Sequence, residues 1–340
     1  MNAQVTIKDI ARELEISPST VSRALKDHPD ISPKTKKAVN DLAEKLHYQP
    51  NSIALSLRKS KTYTIGIIIP EFVHFFFSTV ISGIEDVAYE KGYNVIISQS
   101  SESYEREVSD TRSMISHRVD GLLVSMSKET RHIDHFKELV ERGIPLVFFD
   151  RICPELKTDR VIIDDFEAGF KAVEHLISTG KRRIAHLYGD LNLLICKNRY
   201  DGYRAALEKY GLPFDEKLAS YAGMLELEPA KVLMHRLLAL PEMPDAVFAH
   251  NDVVAYGAML AIKERGIKIP EECAVIGFSD WQFSSFVEPG LSTISQSGFE
   301  MGQEAARLFL DQIENGGDSY VPQTKVIPTR LVIRGSTMKS

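Results

Sequence analysis

Four short polar clusters carry residue types that can hold a small hydroxylated molecule: Asp150-Arg151, Arg199, Asn251-Asp252 and Ser279-Asp280-Trp281. A carboxylate and a guanidinium bond hydroxyls in fixed geometry, a carboxamide adds a donor and an acceptor, and an indole face stacks on a sugar ring. Taken singly, each residue reads better as a helix cap or a surface ion pair. Their shared position reverses that, because three clusters follow apolar runs and Arg199 opens a helical pattern. A second chemistry lies near the start of the chain, in Pro18-Ser19-Thr20-Val21-Ser22-Arg23. Its outward positions are small or polar where a solubilising helix face would carry Glu and Lys. Ser and Thr can bond base edges or phosphates in a major groove, and an arginine can bond a guanine through two N–H groups.

The elements that position these residues differ between the two ends of the chain. Ile7, Ile10, Ala11 and Leu14 form the stripe of a short amphipathic helix. Thr6 is its N-cap, and Asp9 stands in the capping-box position. Ser17-Pro18 and Ser32-Pro33 repeat the start signal and open two more helices, which predicts a three-helix helix-turn-helix domain over residues 1–50. A small bundle that binds nothing would share this pattern; the outward face of the second helix weighs against it. Lys34, Thr35, Lys36 and Lys37 open the third helix, where they could hold phosphates or simply be a solvated face.

Asn51 to Leu57 reads as a seven-residue helix capped by Asn51, with Ile53, Ala54 and Leu57 on one side, inside a hinge and linker at 51–62. Isolated helices shorter than about 12–15 residues are marginal in water, so it needs an outside partner. From Thr64 apolar strands alternate with amphipathic helices. Ile65 to Ile69, Val95 to Ile97, Gly121 to Val124 and Pro145 to Phe149 are near-continuous apolar runs, as parallel strands buried on both faces require. A second series follows, with strands at Ile184 to Leu187, Ala246 to Ala249 and Ala274 to Ile276. The last helix and strands are too short for a third core. The expectation is a two-lobed, doubly wound α/β body over 63–340, with one lobe at about 63–162 and 292–325 and the other at about 163–291 and 326–338. Ligands in such sheets bind beyond the carboxyl ends of the strands.

Composition bounds the remaining classes. The chain has 340 residues, 44% hydrophobic and 26% charged, as in an ordinary globular protein too large for one core. Its net charge of −6 alone argues against nucleic acid, but residues 1–60 carry +3 and the rest −9. No stretch reaches the roughly 18 apolar residues that span a bilayer, and the start lacks a signal core. The expected location is therefore the cytoplasm, and a secreted binding protein is disfavoured. Cys153, Cys196 and Cys273 are odd in number and far apart, consistent with reduced thiols. No dinucleotide fingerprint, phosphate loop or nucleophile elbow occurs. His132 and His135 have no partners that complete a metal site and read as surface histidines; Cys196 reads as a buried structural thiol. No enzyme, cofactor or metal is expected.

Several ordered motifs carry a family resemblance. Thr6-Ile7-Lys8-Asp9-Ile10-Ala11, Val21-Ser22-Arg23-Ala24-Leu25, Ile31-Ser32 with Lys34-Thr35, and Tyr48-Gln49-Pro50-Asn51-Ser52-Ile53-Ala54 resemble the head of the LacI/GalR family of bacterial transcriptional regulators. The body, from Thr64 to about Arg334, is similar to that family's periplasmic-binding-protein-like body. The resemblance implies a repressor that binds a pseudo-palindromic double-stranded operator as a homodimer, under allosteric control by a sugar or sugar derivative between the lobes. It also implies that two hinge helices pair in the minor groove, with Leu57 wedging between base pairs and Arg58 near phosphate. The candidate DNA-contacting set is Thr6, Ser17, Pro18, Ser19, Thr20, Ser22, Arg23, Lys34, Thr35, Asn51, Ala54, Leu57 and Arg58. Asp150, Arg199 and Asn251 match effector-contacting positions, and Phe76 and Phe77 match an aromatic wall; Arg151, Ser279, Asp280 and Trp281 complete the candidate effector set. Three positions depart from the pattern. Glu15 replaces a more usual Gly, from which a slightly different turn is expected, because a left-handed non-Gly residue costs roughly 1–2 kcal/mol. Ser279 stands where many sugar-responsive members carry Asp, and His74-Phe75 replaces Asn-Pro, so no particular sugar is implied.

Overall fold

The computed structural model describes residues 5–48, 61–73, 75–224, 226–317 and 319–338. The chain divides into two units, Met1–Tyr63 and Thr64–Ser340. In the first, α1 (Ile7–Glu13), α2 (Pro18–Ala24) and α3 (Pro33–Lys45) pack around Ile10, Val21, Ala24, Val39 and Leu42. The start signals work as their chemistry requires. The Oγ atoms of Ser17 and Ser32 accept from the backbone N–H of Thr20 and Thr35 at 3.1 and 3.2 Å, and proline fills the first helical position each time. At α1 the Asp9 carboxylate accepts from both the backbone N–H and the hydroxyl of Thr6, at 3.0 and 2.7 Å. These bonds hold the Asp9 carboxyl below its usual range. The expectation of an altered turn at Glu15 is corrected: Glu15 takes φ 53°, so the left-handed turn is kept with a side chain present. The short helix expected at Asn51 to Leu57 lies outside the described residues.

The second unit contains two six-stranded sheets. The first has the order β11-β5-β4-β3-β1-β2, from β1 (Thr64–Ile69), β2 (Asn94–Gln99), β3 (Gly121–Val124), β4 (Leu146–Phe149), β5 (Asp159–Ile163) and β11 (Thr324–Ile327), all parallel. The second has the order β12-β10-β9-β8-β6-β7, from β6 (Ile184–Tyr188), β7 (Ala219–Tyr221), β8 (Ala246–Ala249), β9 (Ala274–Phe278), β10 (Ser292–Gln296) and β12 (Thr329–Val332). Only β12 runs antiparallel, along β10. The near-continuous apolar runs become β1, β3, β4, β8 and β9, which are buried almost throughout. The run Val95 to Ile97 is corrected: it forms β2 at the edge of its sheet, where Ile96 is exposed and Val95 and Ile97 are half-buried.

Helices cover these sheets and set the chain crossings. The first lobe carries α4 (Phe75–Glu90), α5 (Tyr104–Ser116), α6 (Asp134–Glu141) and α11 (Gly298–Asn315). The second carries α7 (Asp165–Ser178), α8 (Leu194–Lys209), α9 (Leu227–Leu237) and α10 (Asp252–Glu264). A β-carbon on Gly302 would lie 2.0 Å from the Val80 carbonyl oxygen, so α11 and α4 touch backbone to backbone. The chain crosses between lobes three times: after β5, after β10 and at Pro328, between β11 and β12. This corrects two expected boundaries. Residues 292–296 belong to the second lobe, because Thr293 pairs with Gly277 and Val332. Residues 326–327 stay in the first, where Ile327 pairs with Ile163.

Candidate functional site

The head presents one polar face. In α2, Val21 and Ala24 turn into the core, while Pro18, Ser19 and Arg23 are exposed and Thr20 and Ser22 half-buried. The hydroxyl of Ser17 bonds those of Ser19 and Thr20 at 2.7 and 2.8 Å, which organises the first turn of α2. Among the described residues no carboxylate pairs with Arg23, in contrast to Arg12, which lies 3.2 Å from Asp9. Lys34 is exposed and Thr35 half-buried at the start of α3, with the Thr35 hydroxyl 2.8 Å from that of Ser32. Lys36 is instead tied to Asp27 at 2.6 Å, which removes it from the free cations of that turn. Asn51, Ala54, Leu57 and Arg58 lie outside the described residues.

In the body, the carboxyl ends of the two sheets face a shared cleft whose internal cavity is about 30 Å³. Phe76, Phe77, Asp150 and Arg151 line it from the first lobe, and Ile195, Cys196, Arg199, Met224, His250, Asn251, Ser279 and Gln296 from the second. Asp150 directly follows β4 and takes φ 58°, a sharp turn that puts it at the strand end. Burial pushes its carboxyl up, while Arg151 and Arg199 pull it down. The next residue, Arg151, donates through one terminal nitrogen to both oxygens of Glu102, at 2.9 and 2.8 Å. Its Nε lies 3.9 Å from Asp150 and makes no hydrogen bond. Phe77 packs edge-on against Phe76 and Phe149, at centroid distances of 5.5 and 6.5 Å, which fixes the aromatic wall.

The opposite wall is built around Arg199. Its Nε donates to Asp165 at 2.7 Å, one terminal nitrogen donates to the His250 carbonyl at 2.9 Å, and the guanidinium lies 3.6 Å over the Phe278 ring. Burial raises the Asp165 carboxyl to about 7 against the pull of Arg199. Asn251 is the N-cap of α10: its Oδ1 accepts from Val254 N–H at 2.9 Å and its Nδ2 donates to the Met224 carbonyl. Ser279 takes φ 109°, and its hydroxyl accepts from Gln296 Nε2 at 3.0 Å, leaving the buried Gln296 Oε1 without a hydrogen bond.

Seven of the nine candidate effector residues thus share one cavity: Phe76, Phe77, Asp150, Arg151, Arg199, Asn251 and Ser279. Asp280 and Trp281 are not among its lining residues, which corrects the sequence reading. Ser279 and Asp280 both have positive φ, so the chain turns away after Ser279. Asp280 then pairs with Arg334 at 2.8 Å, and Trp281 packs edge-on against Phe283. Asp252 accepts from the Trp281 N–H and from the hydroxyls of Ser284 and Thr293, which holds that turn in place. Sequence reasoning missed Ile195, Cys196, Met224, His250 and Gln296 as lining; among them His250 carried a signal, as the residue between a strand and Asn251. Burial raises the Cys196 thiol to about 12, as suits an inert structural cysteine. His135 is buried rather than on the surface, with Nε2 3.1 Å from Glu107.

A helical head with an exposed polar face, and a body with a cleft between two α/β lobes, define a helix-turn-helix regulator with a binding-protein-like body. Comparison with known proteins agrees. Residues 6–51 match the bacterial regulatory proteins of the lacI family, and residues 173–337 match the periplasmic binding protein-like domain. The HTH-type transcriptional repressor CytR of Escherichia coli (strain K12) is 34% identical over 98% of this chain and 96% of its own length. The HTH-type transcriptional repressor PurR of Actinobacillus pleuropneumoniae serotype 3 (strain JL03) is 32% identical over 97% and 98%. The solved complex of the transcriptional regulator CelR with cellobiose has a TM-score of 0.74 at 29% identity, covering 98% of this chain and all of that one. The chain belongs to the lacI family of bacterial regulatory proteins. It is a DNA-binding transcriptional repressor and not an enzyme. No helix among the described residues is long and apolar enough to cross a membrane.

Proposed function

We propose that the chain acts in the cytoplasm as a homodimer on a pseudo-palindromic double-stranded operator, and that a carbohydrate captured in the cleft controls this binding. Residues 1–50 read the DNA, 51–62 form the hinge, and 63–340 bind the effector and dimerise. One recognition helix reads only a few base pairs, which is too little affinity for a genomic site, so two copies are needed. Ser17, Pro18, Ser19, Thr20, Ser22 and Arg23 enter the major groove. Thr6, Lys34, Thr35 and Arg58 hold phosphates, and Asn51, Ala54 and Leu57 engage the minor groove at the centre.

The observation that carries the effector reading is the division of the cavity between the lobes. Asp150 and Arg151 stand on one, and Arg199, Asn251 and Ser279 on the other. A ligand touching both binds one lobe placement better than others, and only such differential affinity shifts a conformational equilibrium. A coupling of about 1–3 kcal/mol changes operator affinity roughly 5–150-fold. The carbohydrate class follows from the paired polar groups and the aromatic wall, and from two solved relatives. One is the CelR–cellobiose complex, and the other a ribose-bound LacI family regulator from Enterococcus faecium, 31% identical with a TM-score of 0.71 over 81% of this chain and 98% of that one.

The experiment selects binding sites from a randomised duplex pool and, in parallel, screens sugars by thermal shift. A ligand at 100 times its Kd adds roughly 2.7 kcal/mol of stability whatever its effect on DNA. Enrichment of a two-fold symmetric site, and a saturable sugar that alters its occupancy, are expected. A monomer that enriches no palindrome would overturn the reading.

A further inference from the structure

The charges lining the cleft do not balance, and the manner of their pairing bears on what the cleft accepts. Two guanidinium groups face the cavity, and each already has a buried carboxylate of its own: Glu102 at 2.8 Å from Arg151 and Asp165 at 2.7 Å from Arg199. All four side chains are at least nine-tenths buried. A third carboxylate, Asp150, also lines the cavity and has no guanidinium to itself. Each guanidinium charge is therefore already balanced inside the protein, and an anion would gain a full ion pair only by displacing a buried carboxylate. We infer that the cleft takes an uncharged or cationic hydroxylated ligand and turns away phosphorylated and carboxylate-bearing ones, with Asp150 setting the preference. The inference rests on the effector reading of this cleft and narrows its ligand class.

The unused hydrogen-bonding groups point the same way. Gln296 Oε1 is a buried acceptor with no partner, and the Asp150 carboxylate is a second acceptor; both call for donors on the ligand. Hydroxyls and ammonium groups supply donors, whereas a fully ionised phosphate or carboxylate group supplies only acceptors. Arg151 Nε, also without a hydrogen bond, can donate its N–H to a neutral hydroxyl oxygen without losing Glu102.

The test uses the full chain and matched probes that differ in charge: ribose against ribose 5-phosphate, glucose against glucosamine and gluconate, and inorganic phosphate alone. Binding is read by isothermal titration and thermal shift at pH 8.5, where Asp165 carries its charge. In the unaltered protein, each neutral or amino sugar that binds is expected to do so at least tenfold more tightly than its anionic counterpart, and inorganic phosphate is expected to give no saturable binding. Asp150→Asn should shrink that discrimination by about tenfold. Glu102→Gln and Asp165→Asn each leave a guanidinium with a neutral acceptor, and each should gain phosphate binding at least tenfold. Either variant suffices if the other does not fold. Tighter binding of ribose 5-phosphate or gluconate than of its partner, lost in Arg199→Ala, would overturn the inference. So would folded Glu102→Gln and Asp165→Asn proteins that gain no phosphate binding. If every neutral sugar is silent while the variants gain phosphate, the carbohydrate reading fails and the exclusion of anions stands.

Discussion

The head and the cleft use the same side chain in opposite ways. Arg23 stands exposed on α2 with no carboxylate paired to it among the described residues, whereas Arg151 and Arg199 are buried and already bound to Glu102 and Asp165. The difference follows from what each partner brings. A DNA groove supplies dense negative charge and guanine acceptors, so the protein need only present a free guanidinium. A small neutral ligand supplies no charge, so a guanidinium in a dry cleft must be neutralised by the protein itself. Here the two fully buried arginine–acid pairs stand at the cleft, while the exposed Arg23 is left free for a charged partner.

The sharpest way to break this contrast is Arg199→Ala. It removes the bonds to Asp165 and the His250 carbonyl, the cover over Phe278, and one side of the cavity. Effector affinity should fall roughly 10–150-fold, since a hydrogen bond from a charged group contributes about 1.5–3 kcal/mol. The ligand-free protein should still bind operator, as measured by fluorescence anisotropy. Survival of the ligand response would move the site elsewhere. Arg23→Ala comes next. A bidentate base contact is worth about 1–3 kcal/mol, so specific affinity should fall about 10–100-fold while salt-sensitive nonspecific binding remains. Unchanged sequence preference in a competition assay would return Arg23 to the solvated surface.

These two arginines also show what the sequence disclosed. Both were legible, Arg23 from the helix-turn-helix pattern and Arg199 from its place at a helix start. Their partners were not: Glu102 sits in a turn with φ 61°, and Asp165 opens α7 across a chain crossing, so neither spacing nor periodicity links them to an arginine. Strands buried on both faces announced themselves as apolar runs. By contrast β5 begins Asp-Arg, β7 has three residues and β10 reads Ser-Thr-Ile-Ser-Gln, too short or too polar to stand out. Missing β10 is what misplaced the second crossing and hid Gln296. Asp280 and Trp281 were credited to the cleft because they follow a strand, but two successive positive φ angles carry them away from it.

A smaller effect separates the buried pairs from surface ones through pH. Asp165 faces Arg199, Asp150, its neighbour Asp164 and the Cys196 thiol, and burial raises its carboxyl to about 7 from 3.8. As pH falls from 8 to 7 the native protein takes up a proton that the unfolded chain does not, so stability should rise, by at most roughly 1.4 kcal/mol per pH unit. Asp165→Asn should flatten that slope in the melting temperature, and an unaltered slope would assign the proton to another group. Below 6.5 the sign becomes mixed. His186, held down to about 4 by burial and accordingly neutral in the fold, costs stability as the unfolded chain gains charge, whereas Asp252, raised by burial to about 6, adds to it.

The smallest expected effect lies in the head and tests whether its turn is free of functional constraint. Glu15 holds φ 53°, a conformation glycine adopts without the roughly 1–2 kcal/mol that a β-carbon adds. Glycine in turn loses more backbone freedom on folding, which returns about 0.5–1 kcal/mol of that gain. Glu15→Gly should therefore stabilise the head by roughly 0.5–1 kcal/mol, seen as a rise of a few degrees in its melting temperature. Because Glu15 precedes α2 and its exposed side chain pairs with nothing among the described residues, operator affinity should stay within about threefold. A larger change in affinity would show that the turn sets the tilt of α2 on DNA, and that strain at this position is retained for reading rather than tolerated.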